Sequence, residues 1–332
     1  MEATNTKNPE QQIFAIDWAH KEDKFLVYNG QKITKKLPTP TNTMTWITEN
    51  IPTKMVKNAL QAGTTIQRCS SNIIAKMRQE QNIEKTDEND VKLIYQLFTD
   101  NPKAFRKFTG DPPLKTYYAL FKEMQQSRVR TGNRLYANEN DNAKKVFEGL
   151  ENQEALLNKI CQEELEKYPI YTKFLNETKG IGVAMAAGLI AFTAGINRFD
   201  TISKLWAYFG YHVIDGKAPK KKAGEMANWH QQARSLCYVI SVMFIQHRTP
   251  KYRQIYDEEK TKQIKNGLKK GHADMRARRK MVKAFLQDYW LAYRKLEGLP
   301  ITKPYHENVE NHPVYAGQSQ HPDETQNKVA NQ

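Results

Sequence analysis

The spacing of apolar side chains changes character once along this chain, near residue 110, and that change limits what each part can become. Before it, short runs of β-branched and aromatic residues alternate with segments of helical period; after it, only the helical period persists. The first part predicts strands near 12–18, 24–29, 32–37, 44–49 and 64–69 and helices near 52–62, 71–80 and 87–108, an α/β domain spanning 1–110. Asn29-Gly30 is a hairpin signal between the second and third strands, and Gly63 ends the first helix before the next strand.

From 111 to 169 the pattern predicts a long antiparallel helical arm, with Leu114, Tyr118, Phe121 and Met124 on the way out and Val146, Leu150, Leu157 and Ile160 on the way back. An ordinary helical bundle packed on the first domain fits the periodicity equally well. The tip of an arm would fall at Thr131-Gly132-Asn133 through Asn142, where turn formers concentrate. A mostly α-helical domain follows over 170–304, opening at Lys179-Gly180-Ile181-Gly182 and a helix of small residues, Val183 to Gly188. Gly-x-Gly after a lysine can present backbone N–H groups to a phosphate, and a close helix–helix contact explains it equally well. Residues 305–332 are polar and poor in aromatics, which predicts a disordered tail.

Four carboxylates stand out in the first part. Asp17 is the first polar side chain of Ile13-Phe14-Ala15-Ile16-Asp17, Glu49 closes Met44-Thr45-Trp46-Ile47-Thr48, and Asp87 and Asp90 open a helix. Taken alone, the Asp87/Asp90 pair reads better as a helix cap with an acidic first turn. Order shifts that balance. A strand ending in Asp, a hairpin, a strand ending in Glu and a later helix carrying two Asp is the layout of an RNase H-like nuclease core, in which such groups converge. Converged carboxylates repel one another unless cations neutralise them, and two hard divalent ions, Mg2+ or Mn2+, can hold the attacking and leaving oxygens of a phosphoryl displacement.

The charge points to the substrate. With 332 residues and a formal net charge of +15, a pI near 9.5 and a mean hydropathy of −0.76, the chain predicts a polyanionic partner. No apolar run reaches membrane-spanning length and the start is polar, so no membrane partner and a cytoplasmic location are expected. Cys69, Cys161 and Cys237 are widely separated and predict reduced, buried thiols rather than disulfides or a zinc site. Lys217, Lys220, Lys221 and Lys222 surround Pro219 and predict a basic loop. A second basic stretch begins at Lys265 and includes Lys269, Lys270 and Arg278, and within it Met275, Val282, Tyr289, Tyr293 and Leu296 are expected to face the core. Arg276, Arg279, Lys280 and Lys283 then form a cationic rail on the opposite face, with His272 beside it, and Lys179 adds a further candidate contact.

Ala15-Ile16-Asp17, Glu49 with the following Asn-Ile-Pro-Thr-Lys, and Lys85-Thr86-Asp87-Glu88-Asn89-Asp90 resemble the DEDD, RuvC-like domain of insertion-sequence transposases, a group that includes the bridge-RNA-guided recombinases and the pilin-gene invertase. Lys179 to Gly182, Arg198-Phe199 and Trp206-Ala207-Tyr208-Phe209-Gly210 resemble the opening of their C-terminal domain. That family uses a C-terminal serine nucleophile after a Gly-Lys loop. The equivalent stretch here, Gly224 to Gln231, contains none, and Ser235 and Ser241 follow inside a helical pattern. In this respect the chain is similar to the RuvC-bearing Tas nucleases of tandem interspaced guide RNA systems, whose C-terminal domain is related to the Nop domain. That similarity implies an RNA-guided DNA endonuclease, with Asp17, Glu49, Asp87 and Asp90 as catalytic metal ligands, guide RNA along the basic residues, target DNA as substrate and a homodimer as the working state. Two alternatives stand beside it: a DEDD-type transposase or site-specific recombinase, and a non-catalytic Nop-like RNA-binding scaffold.

Overall fold

A computed structural model describes residues 11–19, 24–137, 141–214, 216–225 and 227–302. The chain divides into two units, Met1–Asp111 and Pro112–Gln332. The tail expected at 305–332 lies outside the described residues. Together the units are mixed α/β and mostly helical, with one mixed sheet.

The N-terminal unit is built on strands β1 (Gln12–Ala19), β2 (Lys24–Tyr28), β3 (Ile33–Thr34), β4 (Met44–Thr48), β5 (Thr65–Arg68) and β6 (Arg106–Lys107), interleaved with helices α1 (Thr53–Gln61), α2 (Ser71–Glu80) and α3 (Asp87–Asp100). The strand order is β3-β2-β1-β4-β5-β6. β1, β4 and β5 run parallel, while β2 and β6 pair antiparallel with β1 and β5. Period-2 alternation sorts the side chains onto two faces. Ala15, Ile47, Cys69 and Ile13 meet α2 and α3 through Ile74, Val91, Ile94 and Leu97. Ile16, Trp46, Ile66 and Phe14 meet α1 through Val56 and Ala59.

The Asn29-Gly30 turn forms as expected: Gly30 has φ +91, and the Asn29 side-chain oxygen accepts from the Gln31 and Lys32 amides at 3.1 and 2.9 Å. Several boundaries differ from the sequence reading. β3 is only Ile33–Thr34 of the expected 32–37, and β1 runs one residue beyond 18, because Ala19 pairs with Lys24 of β2. α3 stops at Asp100 rather than 108, because Pro102 disfavours helix at Asn101, opens a 3-10 turn and leads into β6, a strand too short to show a period.

In the C-terminal unit, α4 (Pro113–Ala137) and α5 (Asp141–Leu165) are the expected antiparallel pair, tied across by Arg128 to Glu154 at 2.5 Å. Thr131, Gly132 and Asn133 lie within α4 rather than at a tip. Gly132 is there for packing, since a Cβ would come within 3.1 Å of Phe147 of α5. Val146, expected to pack, is 60% exposed. Next come α6 (Val183–Thr193), α7 (Ile202–Tyr208), α8 (Gln231–Gln246), α9 (Pro250–Lys265) and α10 (Lys270–Leu296). A Cβ at Gly188 would meet Tyr118 and Leu236 at 2.7 and 2.8 Å, so the small residues of α6 serve close helix packing. α10 carries the core with Phe285, Tyr289 and Trp290, the last donating its indole N–H to the Phe199 carbonyl at 2.8 Å. Met275 and Leu296, expected in that core, are exposed instead. Among the described residues, no helix is long and apolar enough to cross a membrane.

Candidate active site and nucleic-acid interface

The sheet register explains why two distant carboxylates share one place. Ile16 pairs with Thr48 across the parallel β1–β4 ladder, so the next residues along, Asp17 and Glu49, stand level. Both follow the parity of Ala15 and Ile47, so they face the side of the sheet that α3 covers. The start of α3 then contributes Asp87 and Asp90. Its cap is Thr86, whose hydroxyl accepts from the Asn89 amide at 3.2 Å, so capping does not account for either aspartate.

Asp17 and Asp90 are buried, Glu49 is partly buried and Asp87 is exposed. Burial raises the Asp17 carboxyl from 3.8 to about 7, helped by the charges of Glu49, Asp87 and Asp90. Burial also raises Glu49, with Asp90 adding to it, while the Ser71 hydroxyl, Arg78 and Lys85 pull it down. Asp90 is raised by burial against the opposing charges of Arg78 and Lys85. All four sequence-derived carboxylates therefore belong to one electrostatic neighbourhood.

The neighbourhood is not a ready-made metal cage. Among the described residues, no three His, Cys, Asp or Glu side chains are placed to hold an ion as they stand. Asp90 Oδ2 is drawn to Arg78 Nη1 at 3.0 Å in a pair with 9% and 14% side-chain exposure. Asp90 Oδ1, however, is buried with no hydrogen-bond partner, a costly condition for a carboxylate oxygen. Hard oxygen donors, mutual repulsion and an orphaned buried oxygen fit a divalent cation in kind; side-chain rotation must complete the placement.

Beside the carboxylates lies a cavity of about 410 Å3 lined by Asp17, Leu26, Lys24, Lys35, Asp87 and Glu88, among others. Arg78, Lys85 and Glu88 are absent from the sequence-derived site. Arg78 sits in a helix whose sequence marks no face for chemistry, and only the fold brings it to Asp90.

The basic residues divide. Lys179, Lys217, Lys220, Lys221, Lys222, Lys269 and Lys270 are exposed, and the 217–222 segment is a loop, as Pro219 predicts. The rail on α10 is less uniform. Arg276 and Lys280 are exposed but lie 4.0 and 2.7 Å from Glu259 of α9. Arg279 and Lys283 are only partly exposed. Arg279 donates to the carbonyls of Tyr211 and His212, and the Lys283 ammonium sits over the Trp206 ring. Both serines lie in α8. Ser241 is buried, donates to the Tyr238 carbonyl at 2.6 Å and lies 3.2 Å from Arg278 Nη1; Ser235, though exposed, donates back to the Gln231 carbonyl at 3.1 Å within α8. All three cysteines are unpaired and buried.

A search of curated proteins finds no match. Residues 172–257, running from the segment before α6 into α9, match the sequence profile described as the Transposase IS116/IS110/IS902 family. About a quarter of the chain, all of it in the C-terminal unit, is thus similar to a transposase domain.

Proposed function

We propose that this chain cuts DNA phosphodiester bonds with a metal-dependent site in its N-terminal unit, as an enzyme of the insertion-sequence transposase and recombinase type. The observation that carries the reading is the coupled set of Asp17, Glu49, Asp87 and Asp90 at the mouth of the β1–β4 ladder, in the same chain as a transposase-like segment. The sheet order and the carboxylate positions support an RNase H-like, RuvC-like N-terminal domain. Asp17, Glu49 and Asp90, with Asp87 at the rim, would hold two Mg2+ or Mn2+ ions, which neutralise phosphate charge and lower the pKa of an attacking water. Asp17 and Glu49 set the position from rigid strand ends. To serve as a ligand Asp90 would have to give up its Arg78 contact, and Arg78 and Lys85 would then remain to offset the negative charge of an incoming phosphate. The basic loop 217–222 and the exposed cations at 179, 269 and 270 supply the sequence-independent hold on the backbone.

A second, narrower reading is favoured by the state of the serines. With Ser241 buried and Ser235 bonded back into α8, the carboxylates are the better chemical group, which supports hydrolytic cutting, directed by a bound guide RNA, over serine-mediated strand joining. In that reading guide RNA, target DNA and a homodimer make up the working complex. Purified protein, with the RNA that accompanies it, is incubated with supercoiled DNA and Mg2+ or EDTA. Metal-dependent cutting lost in Asp17→Ala supports the site, and undiminished cutting in that variant refutes it. Trapped reactions separate the readings: a covalent protein–DNA adduct in the wild type that is lost in Ser235→Ala or Ser241→Ala selects the recombinase, while cutting by the wild type without any adduct selects the nuclease.

A further inference from the structure

Along α10 the cations divide by whether a carboxylate answers them. Arg278 bonds Asp274 at 2.7 Å, Lys280 bonds Glu259 at 2.7 Å, and Arg276 stands 4.0 Å from the same Glu259. Arg279 and Lys283 have no ion pair among the described residues. The two contacts of Arg279, Nη2 to the carbonyl oxygens of Tyr211 and His212 at 2.6 and 2.8 Å, are to neutral acceptors that orient the guanidinium and leave its charge uncancelled. The Lys283 ammonium is 3.9 Å from the centre of the Trp206 ring. From α8, Arg234 reaches into the same place, bonding the Pro219 carbonyl at 2.8 Å and covering the Trp229 ring at 5.3 Å. The His212 ring lies 6.3 Å from that of Trp229; Ala207 and Asn228 are close by, yet neither ring nitrogen, though buried, has a hydrogen bond of normal geometry.

These four residues act on one another electrostatically. Burial holds Arg279 below the ordinary guanidinium range, with the charge of Arg234 adding to it. Burial and then Arg279 lower Lys283, and burial and then Arg279 lower His212. Like charges gathered in a partly buried place without a counter-charge cost stability, and the cost reverses when an anion enters. Guanidinium, ammonium and imidazole together suit a tetrahedral oxyanion with several acceptor oxygens.

We propose that Arg234, Arg279, Lys283 and His212 form a seat for one backbone phosphate of the bound nucleic acid, at the root of the lysine loop 217–222. The Arg234–Pro219 contact fixes the loop to the seat, so a strand held there has its next phosphates beside Lys217, Lys220, Lys221 and Lys222. The seat deepens the nucleic-acid reading above and rests on it, yet its charge can be tested without nucleic acid.

The test uses the full chain and Lys283→Gln, which keeps the side-chain stem over Trp206 and removes the charge. Melting in inorganic phosphate is compared with melting in chloride at equal ionic strength, and binding of a fluorescein-labelled single-stranded oligonucleotide is titrated from 50 to 200 mM salt. Phosphate raises the melting temperature of the wild type and leaves that of Lys283→Gln unchanged. Oligonucleotide affinity in the variant falls several-fold at low salt, and the slope of log affinity against log salt shrinks by about 0.7, the loss of one single-strand phosphate contact. A phosphate effect that persists in Lys283→Gln, together with an unchanged salt slope, overturns the seat while leaving nucleic-acid binding intact. Failure of the wild type to bind any oligonucleotide overturns the functional reading instead, and the phosphate melt still decides whether the seat takes an anion. Should Lys283→Gln fail to fold, Arg234→Gln is measured in the same two assays with the same expected outcomes.

Discussion

Removing the charge of Asp17 is expected to stabilise the metal-free N-terminal unit while abolishing cutting. The carboxyl is raised from 3.8 to about 7, chiefly by burial and then by Glu49, Asp87 and Asp90. At 1.36 kcal/mol per tenfold change in proton affinity, that rise corresponds to a penalty of at most about 4 kcal/mol when the group is ionised. The folded state binds this proton more tightly than the unfolded state does. The penalty is therefore absent below about pH 4, grows between pH 4 and 7, and is complete above pH 7. Stability should fall with rising pH across that window, opposite to the usual behaviour of a salt-bridged aspartate. Asp17→Asn removes the titration and keeps an oxygen able to accept from the Trp18 backbone N–H that now bonds the carboxylate. Hydrogen exchange in EDTA, followed on peptides covering β1 and β4 and corrected for intrinsic rates, reports this unit separately. At pH 8 the variant should protect Ile16 and Ile47 more strongly by a few kcal/mol, and at pH 4.5 the difference should shrink to about 1 kcal/mol. Added Mg2+ should protect the wild type at pH 8 and leave the variant unchanged. Equal pH dependence in the two proteins between 5 and 8 would refute the reasoning.

Four further outcomes follow from packing and pairing. Arg78→Ala strands the buried Asp90 carboxylate and should cost the N-terminal unit about 3 kcal/mol at pH 8 in the same exchange measurement. Gly188→Ala drives a methyl group against Tyr118 and Leu236 and should destabilise the C-terminal unit by about 1–3 kcal/mol, whereas Gly149→Ala on α5 meets nothing within 4 Å and should add about 0.5–1 kcal/mol; thermal melts compare the pair. Arg279→Gln should raise the melting temperature of the unliganded protein by relieving the repulsion on Lys283, whereas the exposed Lys270→Gln should leave it unchanged. Burial pushes the Cys69 thiol up to about 12 and Cys161 to about 11, so iodoacetamide at pH 8 should label neither in the folded protein, as mass spectrometry will show.

What the sequence revealed follows from the range of the interactions that encode it. Strand alternation in Ile13 to Asp17 and Met44 to Thr48 is local, so the two carboxylates at the strand ends were legible, and so were the helices with strong apolar stripes. Arg78 was not legible as a partner of Asp90, because a turn and the start of α3 separate them and only their packing joins them. β6 escaped notice because two residues paired with β5 carry no period. The α10 rail was legible as a face but not as a charge. Helical spacing puts Arg276, Arg279, Lys280 and Lys283 together, but the carboxylate that answers two of them, Glu259, comes from α9, and the carbonyls that orient Arg279 come from the segment after α7.

Counter-charge accounts for the functional pattern better than charge count does. The net charge of +15 says only that a polyanion is welcome. The informative groups are those the fold leaves unanswered: Asp90 Oδ1 and the raised Asp17 in one unit, Arg279 and Lys283 in the other. A chain selected for stability alone would pair or discard such groups, because each costs free energy while the protein is unliganded. On the proposed reading a divalent cation would relieve the first set and a backbone phosphate the second. Stabilisation by metal and nucleic acid together beyond the sum of their separate effects would be the coupling between the two ligands, and a melt with each singly and in combination measures it directly.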